Sequence, residues 1–334
     1  MNGTGTTRWR RVAAALEWRE RMIFVALAVL FAAVSLANPR FASWTNILSI
    51  LGDSSYIGIA AIGMTLCIIF GAFDLSVGAL LALLSVVAVT VAPRLQPVVG
   101  TAGFLVAVAA AGMACGLVNV ALVAGLRIPA FIATLGMMYV YRGAAFLVSS
   151  GQDQRLAAGW FLALANGEVA SVPVVFLVFA GLTVIGTLLL NRHPLGRHIQ
   201  AVGNSPQAAR TAGISVPRTT LAVFALVGLF TAIAAVLQAS LLRGAQPGRG
   251  VEFELYVIAT VVLGGTSLAG GKGSVVNTGA AAVLLAMLQS AFSFLAVNPY
   301  LQKIIIGGVL LTAFSMNHLR LRTEQWRIRR VWQQ

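Results

Sequence analysis

Long apolar stretches alternate with short polar ones along almost the whole chain. Most of the stretches are long enough to cross the hydrocarbon core of a bilayer, which takes about 20 residues of helix. They show no period-2 alternation, so helices rather than strands are predicted to span. The stretches cover residues 22–37, 47–70, 75–92, 98–124, 128–149, 172–190, 219–242, 254–270, 275–296 and 301–317. The pattern predicts an all-α integral membrane protein with about ten transmembrane helices.

The composition excludes a soluble globular protein. Hydrophobic residues make up 59% of the chain and charged residues only 10%, whereas about 25% of the residues in soluble domains are charged. Both cysteines, Cys67 and Cys115, fall inside apolar stretches, where a thiol behaves as a small hydrophobe. The three histidines lie in polar segments. We therefore expect neither a disulfide framework nor a metal site.

The basic residues, which give a net charge of +14, are concentrated in three clusters. Loops rich in arginine favour the cytoplasm. Six apolar stretches separate the first cluster from the second, and four separate the second from the third, so all three can lie on one side. The clusters are Arg8, Arg10, Arg11, Arg19 and Arg21; Arg192, Arg197, Arg210 and Arg218; and Arg320, Arg322, Arg327, Arg329 and Arg330. We expect both termini in the cytoplasm and no nucleic-acid partner.

These patterns divide the chain into three parts. Residues 1–21 form a basic cytoplasmic N-terminal segment, and residues 318–334 form a basic cytoplasmic C-terminal tail. Residues 22–317 form the transmembrane domain, with a cytoplasmic loop at about 191–218. One boundary stays open, because the glycines between 254–270 and 275–296 fit either two spans or a re-entrant segment.

A site for energy coupling is absent from the sequence. Segment 265–274 resembles a nucleotide-binding loop, but Lys272 is followed by Gly273 instead of Ser or Thr, and the glycine spacing is wrong. Ion-coupled transporters and pumps carry several intramembrane acids, whereas here only Asp53 and Asp74 are placed at membrane depth. We expect no cofactor on this chain and an energy source on another one.

The segment Gly71–Gly78, between the second and third stretches, combines a carboxylate, a hydroxyl and glycines. Asp74 and Ser76 stand where the third helix should begin, and a carboxylate there is favoured by the helix dipole. Two interpretations remain open: a structural cap supplied by Asp74, or a role of Asp74 and Ser76 in a transport pathway or its gating.

The polar loop after the sixth stretch contains a predicted short helix. Ser205 and Pro206 are suited to the N-cap and first helical positions, and Gly213 is suited to ending the helix. An exposed basic helix between spans can dock another protein. The alternative is a solvated loop that attracts anionic lipid.

Four segments together resemble the permease subunits of bacterial ABC sugar importers. The resemblance is to the ribose, xylose, galactose and quorum-signal sugar type, within a broad family that includes branched-chain amino acid permeases. It extends over about residues 22–316, and its motifs are specific for the family but not for the substrate. The segments are Ile59–Ser85, Arg127–Met137, Gly196–Gly213 and Val262–Ser274.

The resemblance implies several partners in the bacterial inner membrane and on either side of it. These are cytoplasmic ATP-binding subunits that hold ATP and Mg, a second permease copy or paralogue, and a periplasmic sugar-binding protein. Segments 150–171 and 243–254 would then be candidates to receive the binding protein. It also implies that the helix in the loop couples to the ATPase, through Gly203, Asn204, Ser205, Pro206, Ala208, Ala209 and Gly213.

Polar residues inside the apolar stretches are candidates for the sugar path, because neutral sugars are held by hydrogen bonds from such side chains. Hydrogen bonding between helices, without contact to solute, is the alternative for each of them. Besides Asp74 and Ser76, the candidates are Asn119, Thr134, Arg142, Gln238, Asn277 and Gln289. Arg142 is unusual because it carries a permanent charge; it either lines the path or extends to the outer interface.

The sequence is thus interpreted as the permease subunit of an ABC-type importer for a monosaccharide or related small polar solute, without ATPase activity of its own. The alternatives are an ion-coupled secondary transporter acting alone, a branched-chain amino acid ABC permease, and a polytopic membrane enzyme. A secondary transporter needs ion-binding acids at the membrane midplane, and an enzyme needs a cluster of catalytic residues; the sequence shows neither.

Overall fold

The computed structural model of the chain describes residues 22–156, 159–309, 311, 312 and 315. The predicted basic segments 1–21 and 318–334, and with them both termini, lie outside the described residues. The helices are α1 (Met22–Ala37), α2 (Trp44–Phe70), α3 (Val77–Val120), α4 (Ala130–Ser149), α5 (Gly159–Asn166), α6 (Val174–Asn191), α7 (Pro194–Asn204), α8 (Pro206–Thr211), α9 (Val216–Leu241), α10 (Phe253–Leu263), α11 (Val275–Phe294) and α12 (residues 299–309).

Short strands and tight helices fill some of the connections. Antiparallel pairs join β1 (Gln154–Arg155) to β4 (Gly244–Ala245) and β2 (Glu168–Val169) to β3 (Val172–Pro173). A 3-10 helix, Pro39–Ala42, precedes α2, and a π-helical turn, Ala121–Gly125, follows α3.

Local sequence signals account for where several helices begin and end. Ser43 caps α2 by accepting a hydrogen bond from the Asn46 amide, and Ser274 caps α11 in the same way. Gly71 ends α2 in the left-handed conformation, with φ of 95°, which glycine adopts without steric cost.

Six helices in the described part are long and apolar enough to cross a bilayer: α2, α3 together with its π-helical turn, α4, α6, α9 and α11. The chain is therefore an all-α protein of the multi-pass membrane type, as predicted. α3 contains two of the predicted stretches, and Gly100, at φ 72° and ψ 171°, interrupts its helical geometry between them. α1 and α10 are shorter, so the count of ten spans stays a prediction.

The stretch 254–270 is helical only over its first part. α10 has 11 residues, which is about 16 Å of helix, roughly half the thickness of the hydrocarbon core. Residues 264–273 then form turns. This stretch is therefore a half-length helix followed by a glycine-rich turn, and it is not one continuous spanning helix.

The core is formed by α2, α3 and α9. Most of α2 and α9 is buried, whereas α4 and α6 bury only one side. Glycines allow α3 and α9 to touch by their backbones: a Cβ at Gly112 or Gly228 would overlap the other helix, and one at Gly116 would overlap the Phe224 carbonyl. Such contacts between small residues are typical of membrane helices.

The molecule has two opposite sides, which we name after the elements that they carry. The α7–α8 side carries those two helices and the turn 264–273, which meet where Gly271 contacts Asn204. The strand side carries the β1–β4 pair and the loop that leads from β4 to α10.

Candidate transport pathway and docking segment

Asp74 lies at the centre of a buried hydrogen-bond network between α3 and the chain that precedes it. Its Oδ1 atom accepts hydrogen bonds from the amide (2.8 Å) and the hydroxyl of Ser76, and its Oδ2 atom accepts one from Asn119 Nδ2 at 3.1 Å. Asn119 also donates to Ser76 Oγ. Tyr141 donates its hydroxyl to Asn119 Oδ1 at 3.1 Å and to the Cys115 carbonyl at 2.8 Å. The network joins both halves of α3 to α4.

Asp74 does not cap α3 in the predicted way. Ser76 occupies the N-cap position of α3 and makes no side-chain cap bond itself. Asp74 stands two residues earlier and accepts the Ser76 amide instead. Only 1% of the Asp74 surface is exposed, so the carboxylate is enclosed by protein and does not contact an open path in this conformation.

Residues 71–76 form an irregular connection inside the molecule. The connection runs from one side of the molecule towards the other. At its start, Gly71 lies beside Gly203 on the α7–α8 side. Just past its end, Gly78 packs so closely on the strand side that a Cβ would overlap the Gly250 carbonyl. Non-helical backbone is tolerated at membrane depth only where protein or a water-filled cavity satisfies its polar groups.

Thr134 of α4 forms hydrogen bonds with the backbone of this irregular connection. Its Oγ1 atom accepts the Leu75 amide at 3.1 Å and lies 3.4 Å from the Phe73 carbonyl. Thr134 is fully buried. Interrupted helices of this kind are the elements from which many transporters build their pathways.

Arg142 does not extend freely into solvent. Its Nη1 atom donates hydrogen bonds to the carbonyls of Pro247 (2.9 Å) and Arg249. Both acceptors belong to the loop between β4 and α10, so α4 holds this loop by a charged side chain. Glu254, at the start of α10, also acts electrostatically on Arg142.

The remaining predicted pathway residues lie apart from the Asp74 network. Gln238 is buried near the end of α9, close to the Tyr56 hydroxyl of α2. Asn277, in the first turn of α11, and Gln289, farther along it, are half-buried. The Asn277 backbone amide donates to Ser274 Oγ, and the Gln289 backbone carbonyl accepts the Ser293 hydroxyl. The structure therefore gathers Asp74, Ser76, Asn119 and Thr134 in one place and leaves the other four candidates at separate ones.

The predicted short helix of the polar loop is present as α8. The Ser205 hydroxyl accepts the Ala208 amide at 3.2 Å, Pro206 is the first helical residue, and Gly213 follows with φ of 81°. Ala208 and Gly213 are exposed, whereas Ala209 is buried. Gly203 and Asn204 belong to a separate preceding helix, α7.

α7 joins the candidate docking segment, which we define as residues 203–213, to the body of the molecule. Ile199 and Val202 point inward from one face of the helix. The backbone of Gly203 lies so close to the end of α2 that a Cβ would overlap the Ile69 carbonyl. That carbonyl also accepts the Gly271 amide at 2.7 Å. The docking segment, α2 and the turn after α10 thus meet at one point.

Several parts of these sites escaped the sequence analysis. Tyr141 is not among the predicted residues, and nothing in its local sequence indicates a bond to Asn119. α7 had a usable signal, since Pro194 starts it and Ile199 and Val202 are spaced for one helical face.

Comparison with known proteins identifies the class that these features define. Residues 46–314 match the family described as "Branched-chain amino acid transport system / permease component". The chain belongs to this family of membrane permeases.

The relatives include several sugar permeases. The chain is 38% identical over 326 residues to the ribose import permease protein RbsC of Escherichia coli K12, covering 94% of this chain and 98% of the relative. It is 35% identical over 305 residues to RbsC of Bacillus subtilis, covering 88% and 91%. It is 34% identical over 312 residues to the L-arabinose transport system permease protein AraH of E. coli K12, covering 92% and 93%. No solved structure gives a significant match.

Proposed function

We propose that this chain is the membrane-spanning permease subunit of an ABC-type importer that moves a monosaccharide or related small polar solute across the bacterial inner membrane. The observation that carries the proposal is the end-to-end similarity to permeases named for ribose and arabinose. The chain itself is not an enzyme, and ATP and Mg are held by separate ATP-binding subunits.

The orientation follows from charge. Arg192, Arg197, Arg210 and Arg218 are exposed on the α7–α8 side, which makes this the cytoplasmic side. The strand side is then periplasmic. With the ten predicted spans, both termini are cytoplasmic.

The ATP-binding subunit docks on α8 and the end of α7. The exposed members of this segment, among them Asn204, Pro206 and Ala208, form the contact surface. Gly203 and Ala209 face the body and act by holding the segment in place. Because Gly203 also touches α2 beside the turn 264–273, a movement of the docked ATPase is passed directly to α2 and α10.

The two other partners occupy different surfaces. The periplasmic sugar-binding protein is received on segments 150–171 and 243–254, which the structure joins through the β1–β4 pair and a 2.7 Å hydrogen bond from Gln246 to Asp153. A second permease copy or paralogue packs against apolar residues of α4 such as Phe131, Ile132 and Tyr139, which are more than half exposed. Aromatic residues are enriched in protein interfaces.

The Asp74 network serves in gating. Its members are buried and bonded to each other in this conformation, and they hold an irregular segment that connects the two sides of the molecule. Separation of Asn119 from Asp74 would free that segment and let the halves of α3 move apart.

The competing functions have less support. An ion-coupled transporter acting alone needs several buried acids to bind its driving ion. Asp74 is the only buried acid in the described part of the chain. Branched-chain amino acids are the substrate in the family's description, whereas the relatives described above are named for ribose and arabinose.

The docking role is tested by Ala208→Glu in the full chain, co-expressed with the ATP-binding subunit. A glutamate in the first turn of α8 is favoured by the helix dipole, so membrane insertion should be normal while the subunit no longer co-purifies. Gly213→Trp should have the same effect on association. Val169→Glu, at an exposed site on the strand side, is the control and should co-purify normally.

Vesicle uptake tests the energy source. Ribose or arabinose uptake should require the ATP-binding subunit and ATP. Uptake by the lone chain under a proton or sodium gradient would refute the proposal, and so would normal co-purification of both docking variants.

A further inference from the structure

A second group of polar and aromatic side chains lies on the periplasmic half of the molecule, apart from the Asp74 network. We call it the outer cluster; it consists of Asp53, Tyr56, Gln238, Arg249 and Phe253. The Tyr56 ring stacks on Phe253, with ring centres 6.1 Å apart and planes 16° from parallel. Gln238, Asp53 and Arg249 lie close enough to the Tyr56 hydroxyl to act on it electrostatically, and Asp53 stands three residues before Tyr56 on α2. Three segments of the chain thus converge on one tyrosine.

Asp53 is a charged residue within α2, a helix long and apolar enough to cross the membrane. It is the tenth residue of α2, a 27-residue helix, so it lies about 14 Å from the helix start. Its side chain is exposed and forms neither a hydrogen bond nor an ion pair within the described residues. A charged side chain that faced lipid at this depth would be costly, which favours a water-filled space beside Asp53.

Arg249 presents an unused donor in the same region. Its Nη2 atom donates to Gln246 Oε1 at 2.8 Å, and Gln246 in turn donates to Asp153 at 2.7 Å. Arg142 donates to the Arg249 carbonyl. Gln246 thus orients the Arg249 guanidinium, and Arg142 holds the Arg249 backbone. The Nε atom of Arg249 is nevertheless buried without a hydrogen-bond partner in the described part of the chain. A buried donor without an acceptor is costly, and a ligand oxygen would satisfy it.

The chemistry of the outer cluster suits a neutral polyhydroxylated ring. A carboxylate accepts hydrogen bonds from hydroxyl groups, a guanidinium donates to their oxygens, and an amide does both. The stacked aromatic pair offers a flat apolar surface for the C–H groups of the ring.

We propose that the outer cluster binds the sugar as it enters from the periplasm, with Asp53 and Arg249 contacting its hydroxyl groups and Tyr56 packing against its ring. The inference rests on the proposed function and specifies which residues recognise the substrate.

Labelling of a substituted cysteine tests the placement without requiring transport. In a chain carrying Cys67→Ala and Cys115→Ala, Asp53→Cys should react with a membrane-impermeant, charged thiosulfonate added from the periplasmic side. The control is Val184→Cys, at an exposed site within α6 that faces lipid. We expect at least a 10-fold faster reaction at position 53 and protection by millimolar ribose or arabinose. Equal rates at the two positions would overturn the proposal.

Uptake then tests recognition in the complete importer. Asp53→Asn and Tyr56→Ala should each raise the KM for sugar at least 10-fold while leaving co-purification of the ATP-binding subunit unchanged. Ser49→Ala, also exposed and about one turn away on α2, should keep the wild-type KM. Wild-type KM in both test variants would overturn the inference alone, whereas absence of ATP-driven uptake by the unaltered chain would overturn the proposed function.

Discussion

Gly203 gives a sharp test of how the docking segment is joined to the membrane body. A Cβ at this position would lie 2.7 Å from the Gly271 amide nitrogen and closer still to the Ile69 carbonyl oxygen. Ordinary contacts begin at 3.4 Å, so Gly203→Ala requires a displacement of at least about 0.7 Å. All the atoms concerned are backbone atoms, which cannot rotate away.

Two energetic costs follow. Overpacking of this kind typically costs about 1–3 kcal/mol. Moving the segments apart also stretches the hydrogen bond from Gly271 to Ile69, which is 2.7 Å long, and an unsatisfied buried group costs about 1–3 kcal/mol. We expect a total of about 2–6 kcal/mol, which corresponds to roughly 3–9 °C in Tm for a chain of 334 residues.

The assay is thermal unfolding of the purified full chain in detergent, together with sugar uptake in the complete importer. The matched control is Gly136→Ala in α4, where a Cβ meets nothing within 4 Å and alanine should be neutral or slightly stabilising. Because α8 itself is unchanged, Gly203→Ala should retain the ATP-binding subunit but lose most uptake. A Tm equal to that of the control, with full uptake, would refute this account of the junction.

Two other changes test individual contacts. Asn119→Leu removes the donor to Asp74 and Ser76 and should destabilise the protein by about 1–3 kcal/mol; an unchanged Tm would show that the network contributes little. Lys303→Gln breaks the 3.3 Å ion pair with Glu252 between two largely exposed side chains and should change stability by less than about 1 kcal/mol. A larger loss would mean that this pair fixes the end of the loop between β4 and α10.

The fold class could be predicted because it depends on local patterns. Runs of apolar residues decide that the backbone must be helical in a membrane. The cap at Ser205 and the left-handed glycine at Gly213 define α8 within nine residues of chain. The polar candidates in the Asp74 network were also found one by one, because polar groups in apolar stretches are rare.

The boundary of α10 shows where hydropathy fails. Residues 264–270 belong to an apolar stretch, yet the helix ends at Leu263. A Cβ at Gly264 would come within 2.7–2.9 Å of the backbone at Asn277 and Thr278. Close backbone contact with the start of α11, the next helix along the chain, therefore accompanies the end of α10. Hydropathy does not encode such a contact, because it measures polarity and not the approach of two backbones.

The apolar pattern and the short motifs were enough to predict a bundle of membrane helices, a family resemblance and a short basic helix in one loop. They did not predict which polar residues meet, because this depends on how separate helices pack. Asp74 reaches Asn119 across 45 positions of chain, and Tyr56 reaches Gln238 and Phe253 from another helix. The physical reason is that a hydrogen bond depends on the rotation and depth of each helix, and these are set by packing between helices rather than by the apolar pattern within one.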